Sequence, residues 1–225
     1  PQMVNPLHLW LILFAPLASA VIIALFLLKH HKIAALVSLA GILTSLGLVL
    51  NILIGALQHK ITLPVEVNYF WLQAGPMKID FGFLVDPLSV LMLLVVTGVG
   101  SCIFLYSVGY MHGDKSFARF FASLSMFAFS MIGIVLSPNF LMLFIFWELV
   151  AVSSYLLISF WFEKPSAADA GNKAFIVNRV ARPFYAESMR LLGEQTTDPA
   201  TLDAIVREAG GFPMGPCELM DLVGL

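Results

Sequence analysis

Glu148 is the residue on this chain from which chemistry can be argued first. It stands near the middle of LFIFWELVAVSSYLLISFWF, residues Leu143 to Phe162, in an apolar run long enough to cross a bilayer. Inserting a carboxylate there is costly, roughly 2.5–3.5 kcal/mol on insertion scales for the comparable aspartate. Such residues face a bundle interior or a water-filled path, and they mark ion or proton routes. The plainer reading is a carboxyl hydrogen-bonded to a neighbouring helix as structural glue. Ala151 and Val152 follow one turn on, then Ser154 and Tyr155. Small and hydroxyl side chains on that face suit close helix packing or an ordered water chain. A low-dielectric surrounding favours the neutral carboxyl, so a proton carrier needs a basic partner that comes and goes. Lys173, in the next helical stretch, is the candidate, and a sodium route fits the same residues.

The elements that position these groups are apolar. With 60% hydrophobic and only 12% charged residues, the composition is that of an integral membrane protein, since soluble domains carry about 25% charge. Twelve basic against fourteen acidic residues give a net charge of −2, so nothing suggests nucleic-acid binding. Cys102 and Cys217 form no CxxC pair or disulfide framework. No basic region precedes the first apolar run, so no cleavable signal peptide is expected. Five runs have spanning length: about 7–28, 33–57, 87–111, 117–136 and 140–162. The expected fold is an all-α membrane protein of five spans, membrane domain 1–174, followed by a small soluble helical segment, 175–225.

Loop charges orient the spans. Lys29-His30-His31-Lys32 follows the first run, Lys115 and Arg119 the third, and Lys164 and Lys173 the fifth. The other side carries Lys60 and Lys78, offset by Glu66, Asp80 and Asp86. The positive-inside rule then puts the N-terminus outside and the basic loops, with the C-terminal segment, in the cytoplasm.

Between runs two and three, ITLPVEVNYFWL and MKIDFGFLV flank Gly75-Pro76 and read as a β-hairpin on the outer face, with Tyr69 and Trp71 at headgroup level. Phe104, Tyr106, Tyr110, Phe117, Phe120 and Phe121 read as an aromatic belt. His8, His30, His31, His59 and His112 lack metal-ligand spacing, and no metal site is expected.

Several strings carry a resemblance. DFGFLVDPLSVLMLLVVTGVGSCIFLYSVGYM, FARFFASLSMFAFSMIGIVLSPNFLMLFIFWELVAVSSYLLISFWFE and GNKAFIVNRV resemble the subunit L family of proton-pumping NADH:quinone oxidoreductase, the antiporter-like membrane-arm subunits of respiratory complex I. The likeness runs over about residues 3–180, with VDPLS, YMxxD, RFFA, the WE pair and the KAF string in order. It implies that Glu148, in the WE pair, is a proton-pathway residue. Lys173 then matches the lysine of the KAF string, and Arg179 an arginine before the next span. It further implies other membrane-arm subunits as partners beside the lipid bilayer, and a bacterial inner membrane location. No cofactor is expected in this chain, because NADH, flavin, iron–sulfur clusters and quinone belong to other subunits. The family continues RV-Gly-Asp into a sixth span, whereas this chain reads Val180-Ala181-Arg182-Pro183. About the first third of the family's length is present, so the isolated chain is not expected to pump.

The remainder changes character. FIVNRVARPFYAE, DPATLDAIVREAGGFPMGP and ELMDLVGL resemble the C-terminal domain of 3-hydroxyacyl-CoA dehydrogenase, in the 3-hydroxybutyryl-CoA branch. That likeness implies that Asn178 lies near substrate and catalytic histidine. Cys217 stands where that family has Phe. The nucleotide-binding half and the catalytic His–Glu pair are missing, so hydride transfer is not expected. Asp198-Pro199 reads as cap and first residue of a helix over 200–209, closed by Gly210-Gly211. Further helices are expected over 182–192, from about Gly215-Pro216, and from about Ala168, the last leaving the membrane or lying on it. Both likenesses share Phe175-Ile176-Val177-Asn178-Arg179-Val180. The sequence therefore reads as a chimera, joined by recombination or mis-assembly inside that hexapeptide. The expected function is that of a proton-translocating subunit fragment. The alternatives are a dehydrogenase remnant on a membrane anchor and a helix bundle without transport.

Overall fold

The computed structural model describes residues 5–74, 77–175, 198–208 and 217. It divides into two compact units, Pro1–Trp161 and Phe162–Leu225.

The first unit holds five helices long and apolar enough to cross a membrane. Helix α1, Pro6–Phe26, opens with Asn5 accepting the Leu7 N–H at 3.0 Å and with proline in its first turn, where no N–H is needed. Helix α2 is His31–Leu57. Helix α3, Pro87–Tyr110, is capped by Asp86, which accepts from Ser89 N at 2.6 Å and Ser89 Oγ at 2.7 Å. Helix α4 is Phe117–Leu136. Helix α5, Phe140–Ile158, stops short of Phe162: the chain turns at Ser159, whose Oγ donates to Tyr155 O at 2.6 Å.

Helix α4 is the hub. It packs on α1, α2, α3 and α5, while α1 also lies on α2 and α2 on α3. In lipid, apolar burial gives helices little reason to associate, so small residues and hydroxyls hold the seams. Ser19 donates to Val37 O at 3.0 Å and Ser45 to Ile12 O at 2.8 Å, joining α1 to α2. Ser38 and Ser125 share a buried bond of 2.6 Å between α2 and α4. Two seams close on glycine. A Cβ at Gly41 would strike Ser19 Oγ, and one at Gly133 would run into the Phe146 ring.

Between α2 and α3 stands the expected hairpin, β1 Val65–Ala74 antiparallel to β2 Met77–Val85, in register from Val65↔Val85 to Ala74↔Met77. The ladder starts after Pro64, which has no N–H to contribute. A bulge between Phe70 and Leu72 leaves Trp71 unpaired and exposed, and the expected break at Gly75-Pro76 lies outside the described residues. Phe83 and Val85 are fully buried in one cluster with Leu9, Ile52, Leu93, Ile132, Met142 and Phe146, so the hairpin shares a core with all five helices.

The aromatic belt needs correction. Tyr106 and Tyr110 are exposed as a belt requires, but Phe104, Phe117 and Phe121 are buried and Phe120 is partly buried. These phenylalanines fill the seams among α2, α3 and α4; helix rotation, invisible to a residue count near a helix end, decides which side each ring takes.

In the second unit, helix α6 begins at 165, three residues before the expected start, and is helical through 175. Helix α7, Pro199–Glu208, opens as expected: Asp198 accepts from Thr201 N at 3.0 Å and from Thr201 Oγ1 at 2.6 Å. The Cys217 N–H donates to Asp203 at 2.8 Å. The expected helix over 182–192 and the Gly210-Gly211 stop lie outside the described residues, and of the one expected from Gly215 only helical Cys217 is described.

Candidate functional site

Helix α5 is about 28 Å long, and Glu148 sits about 12 Å along it, close to mid-membrane. The five spanning helices contain no other aspartate or glutamate. Met142, Phe146, Ala151 and Ser153 are buried; Met142 and Phe146 join the cluster shared with α4, Leu149 packs beside them, and Ala151 lies one turn beyond Glu148. Glu148 precedes Leu149 by one residue, a rotation of about 100°, which turns it away from that seam. It is half-buried, and within its unit no described residue hydrogen-bonds or ion-pairs with it. Structural glue requires such a partner, so this geometry argues against that reading.

Both ends of the Glu148 helix are fastened. At the start, Asn139 accepts from Met142 N at 3.0 Å and donates through Nδ2 to Asp80 O of β2 at 2.7 Å. The Gly82 N–H points at Met142 Sδ, 3.3 Å away. At the finish, Arg119 of α4 donates to Phe160 O at 3.0 Å and stacks its guanidinium over the Phe160 ring at 4.9 Å. Trp161 Nε1 donates to Asp114 Oδ2 at 3.0 Å, and Asp114 Oδ1 accepts from Ser116 N at 2.7 Å. The Trp161 bond, with the Ser116 N–H next, holds the Asp114 carboxyl below the usual carboxylate range. Sequence reading noted YMxxD and RFFA but gave Asp114 no task and Arg119 only a part in orienting the spans. Their partners, Phe160 and Trp161, lie more than forty positions on, and no local pattern links them.

Lys173 lies on α6 with its side chain exposed, in the other compact unit from Glu148. Asn178 and Arg179 lie outside the described residues.

Residues 71–121 match the family model for the N-terminus of NADH-ubiquinone oxidoreductase (complex I) chain 5. NAD(P)H-quinone oxidoreductase subunit 5 of the Anthoceros angustus chloroplast is 42% identical over 176 residues, covering 76% of this chain and 24% of its own length. The subunit 5 of the Paulinella chromatophora chromatophore is 41% identical over 178 residues, covering 76% of this chain and 26% of its own. Over its membrane part the chain is similar to complex I chain 5. The chain spans about a quarter of the length of those proteins, rather than a third. Among solved structures it is similar in fold to the Mrp complex of Dietzia sp., with a TM-score of 0.60 at 21% identity, covering 79% of this chain and 19% of that one. An archaeal membrane-bound sulfane sulfur reductase gives a TM-score of 0.57 at 18% identity, covering 93% of this chain and 29% of that one. Residues 175–225 match a different model, the 3-hydroxyacyl-CoA dehydrogenase C-terminal domain. The chain is thus a multi-pass membrane protein whose tail is similar to part of another family.

Proposed function

We propose that residues 1–174 are a segment of a proton-translocating subunit of an NADH–quinone oxidoreductase. Glu148 is its relay carboxyl, and Lys173 the basic group that modulates it or passes the proton on. One observation carries this reading: the one carboxyl in the five spanning helices sits near mid-membrane without a structural partner in its unit. An unsatisfied acid at that depth is retained for what it does rather than for the stability it gives. Other membrane-arm subunits are the partners of this segment, and NADH, flavin, iron–sulfur clusters and quinone are held by other subunits. The basic loops face the cytoplasm and the hairpin the opposite side, in a bacterial inner membrane. The relatives cited above are chloroplast and chromatophore proteins, so a plastid membrane is the competing location.

The test is Glu148→Gln in the complete assembly. Loss of proton translocation with assembly intact supports the relay; unchanged pumping refutes it. Replacing sodium with choline separates proton from sodium coupling.

A second reading attaches to residues 175–225 and to their match with the dehydrogenase C-terminal domain. There Asn178 lies beside an acyl-CoA substrate. CoA-ester binding by the full chain, abolished by Asn178→Ala, would support it. Continuous long-read sequence across codons 170–185 from one genome would establish the junction as genuine.

A further inference from the structure

Two loops meet at the end of the bundle opposite the hairpin. One carries Lys29 and His30 and runs into His31 and Lys32, the first residues of α2; the other carries His112 and Lys115. The His31 ring stacks on Phe117 at 5.5 Å, and Ile23, Ala34, Met111 and Phe117 share one buried cluster. All six basic side chains are exposed. Those of Lys29, His30, Lys32, His112 and Lys115 make no hydrogen bond or ion pair with a described residue. The acid facing His31 here is Asp114, and both its oxygens are occupied, by Ser116 N and by Trp161. Arg119, the other charge beside Asp114, is held on Phe160. Lys29, Lys32, Lys115 and Arg119 outnumber Asp114 here, so the rim carries net positive charge.

Aromatic rings set its depth. Tyr106 stacks on Tyr110 at 5.9 Å, Tyr110 lies 6.5 Å from Trp161, and all three are exposed. Amphipathic rings of this kind settle at headgroup level, which brings the adjacent lysines to the height of lipid phosphates. Juxtamembrane basic clusters attract anionic lipid through charge, each Lys adding a factor of about five.

We infer that this rim binds the phosphate of an anionic phospholipid headgroup, with Lys29, Lys32 and Lys115 as the contacts. The surface is independent of the relay reading.

The experiment uses the full chain in an uncharged detergent, titrated with phosphatidylglycerol or phosphatidylcholine of identical acyl chains and followed by native mass spectrometry. The expected result is ~tenfold or greater preference for phosphatidylglycerol, lost in Lys29→Gln/Lys32→Gln/Lys115→Gln. Circular dichroism confirms that the variant is folded. Equal affinity for the two lipids, or a triple variant that keeps the preference, overturns the proposal. Displacement by equimolar inorganic phosphate would assign the rim to a soluble anion and overturns it as well.

Discussion

The indole of Trp161 and the carboxylate of Asp114 are joined across 3.0 Å, which ties the chain just beyond α5 to the turn between α3 and α4. With Arg119 gripping Phe160 beside it, this bond fixes one end of α5, the one helix of the five described spans that carries an acid.

The bond has a pH signature. Asp114 is held low chiefly by Trp161, so its folded value lies below its ordinary one of 3.8. A depressed carboxyl contributes stability that is present above its unfolded value and is lost as pH falls through the folded one. Melting midpoints in detergent at about pH 5, 4 and 3 should therefore fall less steeply in Trp161→Phe than in the parent chain. Asp86 and Asp198 are also held low, by Ser89 and Thr201, and titrate alike in both proteins. Parallel curves would show that the indole bond is not made.

Glu148 gives an opposite expectation. Without a described partner in its unit, it adds nothing that glutamine or leucine would remove. Thermal unfolding of Glu148→Leu should occur no lower than in the parent chain, with a gain of up to about 2.5 kcal/mol from the relieved insertion penalty. A clear drop in midpoint would reinstate the structural role.

The α4–α5 seam depends on Gly133. A side chain there meets the Phe146 ring. Gly133→Val should destabilise by about 1–3 kcal/mol, the usual cost of overpacking. Shortening the opposing ring with Phe146→Leu should recover part of that loss. Additive effects in the double variant would mean that the two residues do not oppose each other.

Orientation can be read by labelling. In a Cys102→Ala/Cys217→Ser background, Lys60→Cys should react with a membrane-impermeant maleimide from outside sealed cells. Lys115→Cys should react only after the cells are opened. The reverse pattern would invert the topology.

Much of this was legible in the sequence because membrane insertion imposes a one-dimensional code. Unbroken apolar length marked five helices, and Asp198-Pro199 opened α7 because an N-cap is a local event. The hairpin was legible from its β-branched and aromatic strings, although its bulge at Trp71 was not. What escaped depends on rotation and on distance along the chain. Which of Phe104, Tyr106, Phe117 and Phe121 turned inward, and that Asp114 would find Trp161, are decided by packing among helices far apart in sequence. Glu148 stood out because its type contradicts its surroundings. The hydroxyls of Ser38 and Ser125 are fully buried and did not, since serine is unremarkable in a spanning helix.

The hairpin bears on how the chain is made. Phe83 and Val85 complete a core whose other walls come from all five helices, including the last to leave the ribosome. The segment between α2 and α3 must therefore reach its side of the membrane before α4 and α5 can finish docking. Until it does, Met142 and Phe146 lack two of the side chains that complete their cluster. Synthesis order and final packing are coupled through two side chains of one short strand.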